Sequence, residues 1–293
     1  LIAKIQAARD SGLDVTADMY PYLAGATALA SSLPPWVANG GPVKLLARLH
    51  DPAARRRIRT EMAEDHPDWE NLYFDSGGAS GVTISSVMNP ALKKYEGKTV
   101  AQVAQIEHKE PLSALFDFVI ADNAQTEALY LIASEKDLQY GLKQPWTSIG
   151  LDDNESSMDG PLYSPHDHPR GWGSMPRFLG YYVREKHLMP LEEAIRKITS
   201  LPANRERLED RGLLKPGYFA DVTVFDPAAI KDTGTYQHPV SLPAGVDYVF
   251  VNGQLEFDHG KLTGATAGRA LRGPWWRRHV NQPSGANADS TQK

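Results

Sequence analysis

The 293 residues carry 31 Lys and Arg against 36 Asp and Glu, a net charge of −5, with 41% hydrophobic and 23% charged residues. That balance argues against a nucleic-acid surface, which needs a cationic excess on one face, and no apolar run reaches the ~20 residues of a membrane span. With no cysteine, disulfides, thiol catalysis and Cys-ligated zinc are excluded, while the compartment stays open.

The chain starts at Leu1, without Met, inside a predicted helix: "LIAKIQAARD" places Leu1, Ile2, Ile5 and Ala8 at helical spacing. The true N-terminus is therefore expected upstream, along with any targeting segment, and the cytoplasm is only slightly favoured. Gly12 stops the helix and "LDVTAD" alternates as a strand, giving one αβ step of a parallel sheet. "MYPYLAGAT" follows with loop chemistry.

Residues 32–110 differ in texture. They hold a basic helix "PAARRRIRTEMAEDH", a Gly-rich patch, the β-like run "VTISSV" and "TVAQVAQIEHK", with Val100, Val103 and Ile106 on one helical face. This reads as an insertion. The arginines of "RRRIR" (55–59) are expected on a solvated face, balanced by Glu61, Glu64 and Asp65. "ENLYF" (70–74) is followed by Asp75 where a protease tag needs Gln, so it reads as native sequence.

Regularity returns with the helix "PLSALFDFVIAD", the strand "EALYLIA", a short helix opened by Ser134 and the strand "WTSIGLD". Two helices follow the next loop, "PRFLGYYVREKH" and "PLEEAIRKITSLPANRERL". Strands ending in polar loops and alternating with helices suggest a (β/α) barrel, whose chemistry sits at the strand ends. From about residue 212 the pattern changes to short strands. Val222, Val224, Val249 and Val251 alternate with their neighbours, and Asn252-Gly253 and His259-Gly260 mark turns. The tail from Arg277 has the composition of disorder.

Six residues carry candidate chemistry. Asp152 sits at a strand end, where it is either a proton-handling carboxylate or a cap of the following loop. Its neighbour Asp153 points away if the strand continues. Arg170 offers a planar donor pair for a carboxylate, the alternative being an ion pair with an acid such as Asp167. Tyr20 and Tyr22 follow the first strand and would line a pocket or pack on the Pro-rich loop. His166 and His168 have metal-pair spacing, but Pro165 and Pro169 flank them and rule out a strand, so a polar loop with one structural His is the better reading. Trp172 and the "MPRFLGYY" segment read as packing.

The stretches "LLKPGYFADVTVFDP" and "VDYVFVNGQLEFDHGKLTG" resemble the C-terminal hallmark of the amidohydrolase superfamily. Within it, "GLDVTADMYPYLAGAT", "SIGLD", "HPRGWGSMPRFLGYYVRE" and "LEEAIRKITSLPANR" are similar to the N-acyl-D-amino-acid deacylases (D-aminoacylases), over nearly the whole chain. The resemblance implies an α/β fold: the C-terminal part of a metal-dependent (β/α)8 TIM barrel with an inserted segment, plus strands of a small β-sandwich. On that expectation residues 1–31 and 111–211 belong to the barrel, 32–110 form a lid-like insertion, 212–276 are sandwich strands and 277–293 a disordered tail.

The resemblance also implies zinc, one or two ions, held mostly by residues outside this chain. The family's His-x-His, its bridging Cys and two further His ligands would lie upstream of Leu1, and that missing N-terminal segment is an implied partner. Asp152 would act as general base and then proton donor beside the metal, and is itself a possible ligand. Arg170, with Tyr20 and His168, would bind an N-acyl amino acid, while Ala26 replaces a hydroxyl often found just before Thr27. The implied reaction is zinc-dependent hydrolysis of a linear N-acyl-D-amino acid. Alternatives are a cyclic-amide or dipeptide hydrolase of the same superfamily, or an inactive partial chain that needs a partner segment.

Overall fold

A computed structural model describes residues 1–153, 157–163 and 168–272. His166, Asp167 and the 277–293 tail lie outside the described residues. Among the described residues, nine strands form three sheets. β1 (Ala17–Met19) pairs in parallel with β5 (Thr147–Ile149), Asp18 standing opposite Ser148. β2 (Ala24–Ala28), β4 (Glu127–Leu131) and β3 (Val82–Ser86) make an antiparallel sheet in the order β2-β4-β3. β6 (Val222–Phe225), β7 (Val246–Val251), β8 (Gln254–Asp258) and β9 (Lys261–Leu262) make a second antiparallel sheet.

The expectation for "EALYLIA" is overturned. It is the central strand of an antiparallel sheet rather than a parallel barrel strand. Ala128, Leu129 and Tyr130 are all buried, and a run apolar on both faces suits either setting equally. Its partners, about a hundred positions upstream for β2, decide the matter. The helix Pro111–Ala121 contributes Leu115, Phe116 and Val119 to the same core as Leu29, Leu49, Ile58, Val82 and Val103. The inserted body thus packs from Ala24 through Leu131, across the boundary expected at 110.

Its basic helix, Pro52–Met62, starts on Asp51, whose side chain accepts from the amides of Ala53 and Ala54. Its arginines divide: Arg56 and Arg57 are exposed, Arg57 pairing with Glu61 as expected, whereas Arg55 and Arg59 are half-buried against the neighbouring helix. Arg55 meets Asp117 at 2.8 Å, Arg59 pairs with Glu110, and Arg57 lies 4.2 Å from the centre of the Trp36 ring. Ile58 between them is fully buried, so the helix faces Pro111–Ala121 with charge at the edge and an aliphatic side chain at the centre.

A second core holds the site in place. Leu138 and Leu142 come from the helix Glu135–Leu142, capped by Ser134 as expected, and meet Ile149 of β5 and Phe178 and Tyr182. The helix Arg170–Arg177 contains Pro176 and passes directly into π-type turns over Phe178–Glu185. A proline there removes a backbone donor, and the wider turns absorb the mismatch.

Helix Leu191–Ile198 completes this core with a fully buried lysine, Lys197. Its Nζ donates to the carbonyls of Gln144 and Thr147, the latter at 2.9 Å. The ammonium joins the end of one helix to the start of β5.

In the last sheet, the hairpin turns fall where the sequence places them. Asn252 and Gly253 have φ of 50° and 83°, and His259 and Gly260 have 44° and 86°, the left-handed pairs a two-residue hairpin needs. Among the described residues only two strands are parallel, and none of the helices is long and apolar enough to cross a membrane.

Candidate functional site

Both parallel strands lead into one cavity. β1 runs out through Met19 into Tyr20-Pro21-Tyr22, and β5 runs into Gly150, Leu151 and Asp152. The cavity, about 520 Å³, is lined by Asp18, Tyr20, Gly25, Ile132, Leu138 and Asp152 among others. The carboxyl ends of parallel strands are the usual place for chemistry in α/β folds.

The four site residues that the resemblance implies, Asp152, Arg170, Tyr20 and His168, lie together at or beside this cavity. Asp152 takes a φ of +49°, a left-handed conformation that costs an ordinary side chain roughly 1–3 kcal/mol. The strand has already ended at Ile149, so alternation does not govern Asp153, which lies in the loop. It approaches Gly171, where an added Cβ would collide with the Asp153 carboxylate.

Arg170 stands behind Asp152 and Tyr20. Its Nη1 is 3.0 Å from Asp152 Oδ2, and its guanidinium lies 4.7 Å from the centre of the Tyr20 ring. The ion pair is poorly aligned: neither Nη1 nor Nε makes a hydrogen bond, and both are buried. An unsatisfied buried donor costs ~1–3 kcal/mol. Two on one cation leave room for an anion to bind with real gain.

His168 is the structural histidine that the loop reading expects, not the substrate contact that the resemblance implies. A carbonyl can only accept, so the 2.9 Å contact from Nε2 to the Ala24 oxygen puts the proton on Nε2. Nδ1 then accepts from the Arg170 amide at 2.9 Å. Both nitrogens are engaged within the chain, which leaves neither for a metal or a substrate. Burial and the Arg170 charge hold the ring far below its usual pKa, at about 3, so it is neutral. Its ring stands edge-on to Tyr22 and Tyr236 at 5.3 Å each.

Tyr22 turns away from the cavity's reactive side: its hydroxyl donates to Asp232 Oδ2 at 3.1 Å. Sequence reasoning passed over Asp18, Ile132, Arg177, Asp232 and Tyr236. Asp18 was legible as a strand-end carboxylate, whereas nothing local marks the others. No three His, Cys, Asp or Glu residues stand close enough to share an ion among the described residues.

A family model described as "Amidohydrolase family" matches residues 45–257. The D-aminoacylase of Alcaligenes xylosoxydans xylosoxydans is 42% identical over 195 residues, which are 66% of this chain and 37% of that protein. A crystal structure of D-aminoacylase superposes with a TM-score of 0.65 at 32% identity, covering 92% of this chain and 45% of the other. N-acyl-D-glutamate deacylase from Bordetella bronchiseptica, solved with zinc and a phosphonate mimic of its tetrahedral intermediate, gives 0.62 at 27% identity, covering 87% of this chain and 42% of that one. The chain spans less than half the length of each of these relatives.

Proposed function

We propose that this chain, which belongs to the amidohydrolase family, carries the substrate-anchoring and proton-handling side of a metal-dependent hydrolase of N-acyl-D-amino acids. The products are a carboxylate and a free amino acid. One observation carries the reading: Arg170, buried with two unsatisfied nitrogens, stands between the cavity residues Tyr20 and Asp152. A free amino-acid carboxylate is the kind of anion a guanidinium binds through paired donors.

Arg170 grips the substrate carboxylate and, in doing so, releases Asp152 from its ion pair. Tyr20, its ring 4.7 Å from the guanidinium, lines the place of that carboxylate and keeps Arg170 aimed at it. Asp152 takes a proton from the attacking water as its oxygen bonds to the carbonyl carbon. It then passes that proton to the nitrogen as the C–N bond breaks. His168 holds Arg170 and the Tyr20 loop in register.

The metal dependence is supported by relatives: the Bordetella deacylase was solved with zinc, and D-aminoacylase has a binuclear metal centre. A zinc site needs at least three protein donors. The described residues do not supply them together, so they do not fit the ion by themselves, and the steps above use this chain's own groups alone.

The test is release of amino acid from N-acetyl-D- and N-acetyl-L-amino acids by the gene product, with and without added zinc. Zinc-dependent release from a D-substrate, lost in Arg170→Ala, is expected. Absence of release from every D-substrate rejects the reading. Activity on cyclic amides that is indifferent to Arg170→Ala replaces it with a cyclic-amide hydrolase.

A further inference from the structure

Behind the cavity wall lies a polar cluster that the proposed chemistry leaves unused. Arg177 donates from Nε to the Pro21 carbonyl at 2.8 Å and from Nη1 to Asp232 Oδ2 at 3.3 Å. The same carboxylate oxygen accepts from the Tyr22 hydroxyl. The Arg177 guanidinium sits 4.9 Å and 5.0 Å from the ring centres of Tyr22 and Tyr181, with Tyr182 at 5.9 Å. Four residues after Asp232, the Tyr236 oxygen accepts from the Ala24 amide at 3.2 Å. Asp232 and Tyr236 both belong to the segment joining β6 to β7, so the C-terminal sheet reaches back to the loop that bears Tyr20.

The backbone makes this grip consequential. Pro21 has a locked φ, and a residue preceding proline is confined to extended conformations. Once the Pro21 carbonyl is held, few directions remain for the Tyr20 side chain. Arg177 also stands seven residues after Arg170, two turns along the same helix face. One helix therefore presses on Tyr20 from both sides, Arg170 against its ring and Arg177 on the carbonyl that follows. Gly173 lies between them: a Cβ there would overlap the Tyr22 hydroxyl and come within 2.9 Å of Asp232 Cβ. Burial and the Asp232 charge push the Tyr22 hydroxyl up, so it remains a donor.

We propose that Asp232 and Arg177 are positioning residues that set Tyr20 against Arg170, so that the segment entering the C-terminal sheet adjusts substrate binding from behind the wall. The proposal rests on the substrate reading above, and its test separates the two. Tyr20 and Arg170 hold the ground-state carboxylate, so loosening them raises KM and leaves kcat nearly alone. In Asp232→Ala, KM for an N-acetyl-D-amino acid rises about tenfold while kcat stays within about twofold. Asp232→Asn keeps an acceptor for Tyr22 and recovers most of the loss. Arg177→Gln behaves as Asp232→Ala, and the double variant is no worse than either single one, because one unit has been broken.

An unchanged KM with only a lower melting temperature overturns the proposal, as does an additive double variant. A crystal structure of Asp232→Ala decides the matter even if the wild type hydrolyses no N-acyl-D-amino acid. Displacement of the Tyr20 ring from Arg170 supports the proposal; a ring left in place overturns it.

Discussion

Arg170 Nη1 stands 3.0 Å from Asp152 Oδ2, the arginine side chain only 9% exposed and the carboxylate 69% exposed. The two partners therefore differ in what they lose on separation. Asp152 already meets solvent and gives up little when the pair opens. Arg170 is left with a buried charge unless another anion takes the place of Asp152. On the proposed function, the pair would exchange Asp152 for the substrate carboxylate.

Arg170→Ala accordingly weakens kcat/KM by about 10²–10³, mostly through KM, the usual scale for losing a charged contact of about 2–4 kcal/mol. Arg170→Lys recovers little, since an ammonium lacks the planar fork. Asp152→Asn leaves KM near its wild-type value and lowers kcat by about 10²–10⁴. Steady-state kinetics on one N-acetyl-D-amino acid settles all three, and a kcat unaffected by Asp152→Asn removes that residue from the chemistry.

His168 makes the fold acid-sensitive. Its folded pKa, about 3, lies below the ordinary value of 6.5, so the unfolded chain binds the extra proton first. Stability is complete above pH 6.5 and declines as the pH falls from there toward 3. Urea midpoints at pH 7.5 and 5.0 should drop for the wild type and drop less for His168→Gln. Equal losses in both proteins contradict this assignment.

Lys197 titrates in the opposite range. Burial lowers its pKa from 10.5 to about 8, so between those values the unfolded chain again holds more protons and stability rises with pH. Lys197→Met leaves the Gln144 and Thr147 carbonyls without this donor, at a cost of about 2–4 kcal/mol near pH 7. The gap between wild type and variant widens from pH 8 toward 10, and denaturant melts at three pH values measure it.

Gly173→Ala tests the close approach of the helix to Tyr22 and Asp232. The new methyl collides with the Tyr22 hydroxyl, and overpacking of this kind costs about 1–3 kcal/mol. A melting temperature equal to the wild type's shows that the helix has room to move.

Much of this molecule was legible in its residues. The strand ends at Met19 and Ile149, the Ser134 cap and the two hairpin turns follow from spacing and turn chemistry within a few positions. The His168-Pro169-Arg170 block and strand-end Asp152 marked the place where four residues meet. The choice of partners was not legible. Tyr22 and Asp232 are 210 positions apart, and His168 bonds to Ala24 across 144; no local pattern encodes either.

The sequence by itself determined most helices and turns, the family resemblance and the place of Tyr20 and Asp152 at strand ends, because period, caps and turn residues act locally, but it read as loop the strand Ala24–Ala28. Tertiary structure alone decided that Glu127–Leu131 joins an antiparallel sheet, since a strand apolar on both faces accepts either arrangement. It alone made His168 a strut rather than a substrate contact, because what an imidazole does depends on which acceptors and donors the fold brings to its two nitrogens. And it alone set Arg177 and Asp232 behind Tyr20, where a charge pair with no sequence signature holds the Pro21 carbonyl of the loop that bears Tyr20.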